Sequence, residues 1–320
     1  MLRVTANQSP HEINKISRRL RTVFSYAPVV GLASKPSRPL GMSVIMRVKN
    51  EKDWIEPSIN SIKSIADEII VADNGSTDGT YETIREMVSD VDGLIRLWKK
   101  PDLDHCSLSN FALGESTFRW IFKWDGDMVA HTSGENDISA LRERLFSLDP
   151  RRHYLVYLRL INLVGDLFHQ DPKEMVHIEE YIHTFSEGIR FVHPGRFEAV
   201  KFPKHYRPLF WYEPYIFHVN VKPAGRMLLR YFWEEWMEAK DFAKYPRLED
   251  YVSERIEGEF GTTSWQEAQR RCVERSCRDL IRYDETAMAP YPELLEPHLE
   301  NPGYLLEYED GSIVGRREEY

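Results

Sequence analysis

Cysteine is scarce in this chain: three residues, Cys106, Cys272 and Cys277, an odd number without metal-site pairing. That excludes a disulfide framework and points to unbridged thiols in a reducing compartment. Also missing is any run of about 18 or more apolar residues, which excludes a membrane-spanning helix in the sequence. The first residues lack the apolar stretch of a signal peptide, so a cytoplasmic setting is expected. Positive charge is in deficit as well. Forty-two Lys+Arg against 51 Asp+Glu give a formal charge of −9, so stable nucleic-acid binding is not expected. No G-x-G-x-x-G follows the first strand-like run, which removes the fingerprint of a dinucleotide-dependent oxidoreductase.

What is present is enough apolar material for a large core: 42% hydrophobic and 12% aromatic residues over 320 residues. From residue 42 to 127 the pattern alternates. The runs "MSVIMRV", "EIIVAD", "LIRLW" and "RWIFKW" read as strands. Helix-length segments separate them, from about Asp53 to Ile65, from about Asp78 to Val88, and at "LSNFALGES". Strands joined through helices imply parallel crossovers and an open α/β sheet covered on both faces. Residues 1–40 form a polar, Pro-punctuated extension; 153–230 hold strand-like runs such as "HYLVYLRLINLV" and "YIFHVNV"; beyond Met227 the text is helical and ends in a charged tail.

In open parallel sheets ligands gather at the carboxyl ends of strands. Three polar clusters fall there: Arg47 to Glu51 ("RVKNE"), Ala72 to Thr80 ("ADNGSTDGT") and Asp125 to Asp127 ("DGD"). In the second, Asn74-Gly75 suits a turn and Ser76 or Asp78 a helix cap. Asp73, last in an apolar strand, is expected to face the crevice and accept hydrogen bonds from a ribose or base. Asp125 and Asp127 stand two apart where regular pleating ends, so both can be aimed at one centre. Hard oxygen ligands of that kind suit Mg²⁺ or Mn²⁺, and such an ion neutralises a departing diphosphate. Without a cation, two neighbouring carboxylates repel and one pKa rises. The plainer alternative is that the pair caps the following loop.

Taken together, "MSVIMRVKNEKDWIEPSINSI", "DEIIVADNGSTDGTYETI", "LSNFAL" and "WIFKWDGDMV" resemble the family 2 glycosyltransferases of GT-A fold over about residues 42 to 130. The resemblance implies a GT-A, Rossmann-like, mixed and mostly parallel sheet flanked by helices, with a helical C-terminal extension. It implies a nucleotide-diphospho-sugar donor (UDP-, GDP- or dTDP-sugar), a divalent Mn²⁺ or Mg²⁺, and inverting transfer to a hydroxyl of a glycan, a lipid-linked sugar or another acceptor. The domains then run 1–40 (extension), 41–131 (donor half), 132–235 (acceptor and catalytic half) and 236–320 (helical extension). By the same resemblance Val48, Asn50, Glu51, Asp73 and Asn110 hold the nucleotide sugar. Asp125 and Asp127 form the DXD motif, with Asp127 the direct metal ligand and Asp125 on the ribose or the metal. The family often has a second Asp where Asn74 stands and an Arg where Ser109 stands.

An inverting displacement needs a base within hydrogen-bond reach of the acceptor hydroxyl, a role that suits a carboxylate in a cleft. "HPGRFEAVKFP" resembles the segment that carries a catalytic Glu in some relatives, which makes Glu198 the first choice. Glu213 in "WYEPYIFH" is the second, ahead of Glu179 and Glu180 in "HIEEYIH". His218 is a candidate third metal ligand, and Lys222 and Arg226 are candidate partners of the leaving diphosphate. The aromatic-rich "LLRYFWEEWMEAKDF" reads as a core helix, with a lipid-interface helix as the sharper alternative. The basic "NKISRRLRTVF" reads as a solvated face, with contact to a membrane or an acidic partner as its alternative. "FKWDGDMV" also fits the D-x-D pattern of haloacid-dehalogenase-type phosphohydrolases, with Asp125 as nucleophile, but that fold carries the motif on its first strand. A catalytically inactive nucleotide- or sugar-binding subunit is the non-enzymatic alternative.

Overall fold

The computed structural model describes residues 15–90, 93–174, 177–193, 198–239 and 241–319. The chain forms two compact units. The first comprises Met1–Ile161, Val176–His218 and Pro290–Leu295, the second Asn162–Met175, Val219–Ala289 and Glu296–Tyr320. In chain order, α1 (Lys15–Phe24) precedes the alternating series β1 (Met42–Val48), α2 (Ile55–Ile62), β2 (Glu68–Asp73), α3 (Thr80–Asp90), β3 (Ile95–Lys99), α4 (His105–Glu115) and β4 (Trp120–Asp125). There follow β5 (Met128–Ala130), α5 (Ile138–Phe146), β6 (His153–Val164), β7 (His169–Gln170), β8 (His177–Thr184), β9 (Arg190–Val192), β10 (Ala199–Lys201) and β11 (Tyr206–Asn220).

The strands of the first half lie where the apolar runs placed them. The helices differ at their starts for local reasons. The Glu51 carbonyl accepts from the Trp54 and Ile55 amides, so α2 begins only after that turn. Asp104 accepts the Ser107 amide at 2.8 Å, which starts α4 three residues before the expected Leu108.

Eight strands form one sheet in the order β3-β2-β1-β4-β8-β6-β11-β5. The β3/β2, β2/β1 and β1/β4 pairs are parallel; β4/β8, β8/β6 and β5/β11 are antiparallel. The sheet is therefore the expected mixed α/β sheet, its parallel half coming from the alternating segment. Strand β1 is apolar on both sides because both sides are covered. Val44 and Met46 pack with Ile55, Ile59 and Ile62 of α2, whereas Ile45 packs with Ala112 and Leu113 of α4. In β4, Phe122 and Trp124 face the α2 side; Trp124 donates its indole N–H to Ser58 Oγ at 2.9 Å and meets Phe122 edge-on at 5.1 Å.

From β1 the chain steps outward through β2 to β3, then returns so that β4 pairs with the other edge of β1. The order reverses between β1 and β4. Such a switch point opens a crevice beyond the carboxyl ends of the two strands, at Val48 and Asp125.

Two buried histidines make the first unit acid-sensitive. Burial pushes His153 down to about 4, although its ring contacts Thr184 Oγ1 and the Ser34 carbonyl, and pushes His183 down to about 3. Between those values and the ordinary 6.5, the unfolded chain takes up protons that the folded chain refuses. Stability is thus full above pH 6.5 and falls as pH drops toward 4 and then 3. The unfolding free energy from urea melts is expected to decline by several kcal/mol between pH 7 and pH 4, roughly 1.4 for each pH unit over which the fold holds a ring neutral.

The second unit packs α6 (Ala224–Ala239), α7 (Leu248–Phe260) and α8 (Trp265–Cys277) around Leu228, Phe232, Tyr251, Ile256 and Phe260. The core reading of the aromatic-rich segment holds for Leu228 and Phe232 of α6, which are buried, but Tyr231, Met237 and Phe242 of the same segment are exposed. Strand β12 (Ile281–Arg282) pairs with β7, and a helical turn (α9, Glu296–Glu300) leads to β13 (Tyr304–Glu309) and β14 (Ser312–Glu318). The charged tail is this hairpin. Asp310 and Gly311 turn it with φ of +48° and +78°, the left-handed pair that an Asp-Gly hairpin turn requires. Asp166 holds His169 Nδ1 at 2.5 Å and accepts the Leu306 amide at 2.9 Å, while the Tyr308 hydroxyl meets His169 Nε2; the hairpin is clipped to β7 through buried polar groups.

Candidate active site

At the mouth of the crevice the loops after β1 and β2 are laced together. The Ser76 hydroxyl accepts the Asn50 amide at 2.9 Å, Thr80 Oγ1 accepts the Glu51 amide at 2.8 Å, and Asn50 Oδ1 accepts the Thr77 amide at 2.8 Å. Asn50 has φ +58°, which Asn tolerates better than most residues. The Val48 carbonyl takes the Asn74 amide at 2.9 Å. A Cβ on Gly126 would come within 3.0 Å of Glu51 Cγ and 3.1 Å of Val48 Cγ1. Glycine between the two aspartates is therefore what lets the β1 loop close onto the DGD turn.

Asp73 corrects the expectation of a carboxylate open to the crevice. It is 0% exposed, and its Oδ1 accepts the Gly75 amide at 2.9 Å and the Ser76 amide at 3.1 Å. The side chain shapes the turn after β2. Asn110 is corrected likewise: its amide donates to the Phe191 carbonyl and accepts the Phe191 N–H, each at 2.9 Å, tying α4 to β9 instead of facing a ligand.

Of the DGD pair, Asp127 meets His218. Asp127, 6% exposed, places Oδ2 3.2 Å from His218 Nε2, because β11 pairs with β5 so that His218 lies opposite Met128. Neighbouring ligands of an octahedral ion at about 2.1 Å are themselves about 3.0 Å apart, so this oxygen and nitrogen have the spacing of two adjacent ligands. Among the described residues no three of His, Cys, Asp and Glu converge as a complete cage. The donor set fits a divalent ion that takes its other ligands from phosphate and water.

Asp125 pairs in register with Arg47 of β1, and its carbonyl accepts from Ser58 Oγ at 3.4 Å. Behind the carboxylates stands Tyr181, whose hydroxyl is pushed well above its usual value, first by complete burial and then by Glu179, Asp125 and Asp127. It is a neutral donor at physiological pH. Glu198 lies beside the same strands: Arg47 Nη1 is 2.8 Å and Lys123 Nζ 3.9 Å from its Oε2, and its side chain is 6% exposed. A charge this buried is tolerable only because two cations face it.

Residues 43–133 match the family model described as glycosyl transferase family 2. Over that stretch the chain is similar to the family 2 glycosyltransferases. Curated relatives include an uncharacterized glycosyltransferase of Rickettsia prowazekii, 29% identical over 116 residues, 36% of this chain and 36% of that protein. One from Rickettsia bellii is 31% identical over 116 residues, with the same coverage of both chains. The match thus spans about a third of the length of these relatives. Among solved structures, residues 1–349 of TarS from S. aureus align with 85% of this chain and 95% of that chain, at 14% identity and a TM-score of 0.41.

Within residues 43–133, Lys123 is a functional candidate that the sequence pattern passed over, and Arg47 is one that it marked only as the start of a polar cluster. Lys123 had a signal, as the one cation inside the otherwise apolar "WIFKW". Outside that stretch, Glu213 is a surface residue of β11 paired with Arg144 at 2.8 Å. Partial burial raises its carboxyl, but backbone amides and Arg144 outweigh that and hold it below the usual range, which weakens it as a base. Glu179 bonds Tyr181; the Glu180 side chain lies outside the described residues. Lys222 and Arg226 belong to the second unit, Lys222 just before α6 and Arg226 in its first turn.

Proposed function

We propose that the chain transfers a glycosyl group from a nucleotide-diphospho-sugar to an acceptor hydroxyl, with inversion at the anomeric carbon and dependence on Mn²⁺ or Mg²⁺. The observation that carries this reading is the Asp127–His218 pair, 3.2 Å apart at the switch point of a sheet that includes the stretch similar to the family 2 glycosyltransferases. A bound divalent ion would neutralise charge on the departing diphosphate. Asp127 and His218 would hold it, with Asp125 beside them on the ribose or the ion. The loop from Val48 to Glu51, braced by Ser76 and Thr80, frames the nucleoside with its backbone.

Glu198 is the base. Its carboxylate takes the acceptor proton as the hydroxyl oxygen forms its bond to the anomeric carbon. The electron pair of the cleaved C–O bond leaves with the nucleoside diphosphate. Arg47 positions the carboxylate, with Lys123 beside it.

A thermal-shift panel of UDP-, GDP- and dTDP-sugars, each with Mn²⁺, Mg²⁺ or chelator, tests the reading. One donor is expected to stabilise the fold only with a divalent ion, by about 2.7 kcal/mol at a hundred times its Kd. The same donor should then release nucleoside diphosphate, and NMR of the product should show the inverted anomer. No stabilising donor, stabilisation indifferent to chelator, or a retained anomer would overturn it.

A further inference from the structure

Helix α1 turns its apolar side outward. Leu20, Val23 and Phe24 lie three and four residues apart on one helical face, and they are 53, 69 and 48% exposed. Val30 and Leu32, in the loop that follows, are 65 and 82% exposed. A helix packed as part of the core would bury this stripe; here the opposite flank is the one that is held. Arg21 stacks on Phe202 at 5.1 Å, Arg152 covers the Tyr26 ring at 3.8 Å, and His153 bonds the Ser34 carbonyl at 3.1 Å. The first unit therefore grips the segment from behind and presents the stripe to solvent.

Charge selects the occupant. No Asp or Glu stands between Glu12 and Glu51, while the residues ahead of β1 carry Lys15, Arg18, Arg19 and Lys35, besides Arg21 and Arg38, which Phe202 and Phe185 engage, in a chain whose formal charge is −9. A second copy docked stripe to stripe would bring two basic segments together. An anionic surface that is apolar just beneath would satisfy both features. No helix among the described residues is long and apolar enough to cross a bilayer, so such contact is interfacial. We propose that α1 and the loop to Leu32 seat the protein on an anionic lipid surface, with Leu20, Val23, Phe24, Val30 and Leu32 entering the headgroup boundary.

The test is sedimentation of the full chain with vesicles of phosphatidylcholine alone or with about one-third phosphatidylglycerol. Binding is expected on the anionic vesicles only, and it should weaken as salt rises. The double variant Val23→Asp/Leu32→Asp is expected to lower partitioning at least about tenfold while keeping the parent's unfolding temperature, because both side chains are exposed. If that variant misfolds, the salt titration on the unaltered chain still decides. No binding, equal binding to neutral vesicles, or binding untouched in a folded variant would overturn the proposal. So would a dimer in light scattering that the substitutions dissociate without any vesicle binding, which would assign the stripe to a second copy.

Discussion

Asp127→Ala is expected to reduce sugar transfer about a thousandfold or more while leaving the chain folded. The size follows from the charge being handled. A divalent ion on a leaving diphosphate contributes several kcal/mol to the transition state, and each 1.4 kcal/mol is about tenfold in rate. Asp127 is the buried carboxylate that meets His218, so its loss removes one of two adjacent donors together with the negative charge that draws the cation. Stability should change little, since His218, the partner it loses, keeps part of its side chain in contact with water. The thermal shift on adding Mn²⁺ and donor should vanish in Asp127→Ala and shrink in His218→Ala. Turnover within about tenfold of the parent in Asp127→Ala would assign charge neutralisation elsewhere.

Much of this site was legible because strand ends leave a local signature. An apolar run that stops at a carboxylate, as at Asp73 and Asp125, marks the carboxyl edge of a parallel sheet whatever lies beyond it. Local text does not say which of those side chains the protein itself consumes. Asp73 is taken by amides two and three residues on, and Asn110 by the backbone of Phe191, 81 residues away. The partners of Glu198 were hidden for the same reason: Arg47 and Lys123 lie far off in sequence, on β1 and β4, and meet it only in the folded chain. The terminal hairpin is a different kind of miss. "EYEDGSIV" carries the Asp-Gly turn between alternating residues, but its many charges masked the period of two.

Glu198→Gln is expected to lower turnover by about a hundredfold to ten-thousandfold, the usual worth of a positioned base, while the donor's thermal shift stays as in the parent. A structural role alone, as counter-charge to Arg47, would instead leave turnover near normal, so a third readout is needed to show that the variant altered the site. Cys106 supplies it. Its thiol is pushed up to about 11, first by burial, then by Glu198 and Asp104, with Arg47 opposing. Removing the Glu198 charge lets Arg47 act on Cys106 with less opposition, so the thiolate fraction at a given pH rises and alkylation should accelerate. Cys106 is the half-buried thiol, whereas Cys272 and Cys277 are buried and pushed up to about 11 and 12, so the labelled site is identifiable by mass. Faster Cys106 labelling together with lost turnover and intact donor binding assigns the proton transfer to Glu198. Faster labelling with unchanged turnover removes Glu198 from the chemistry and leaves it as the residue that neutralises Arg47 and Lys123 in the closed core of the sheet.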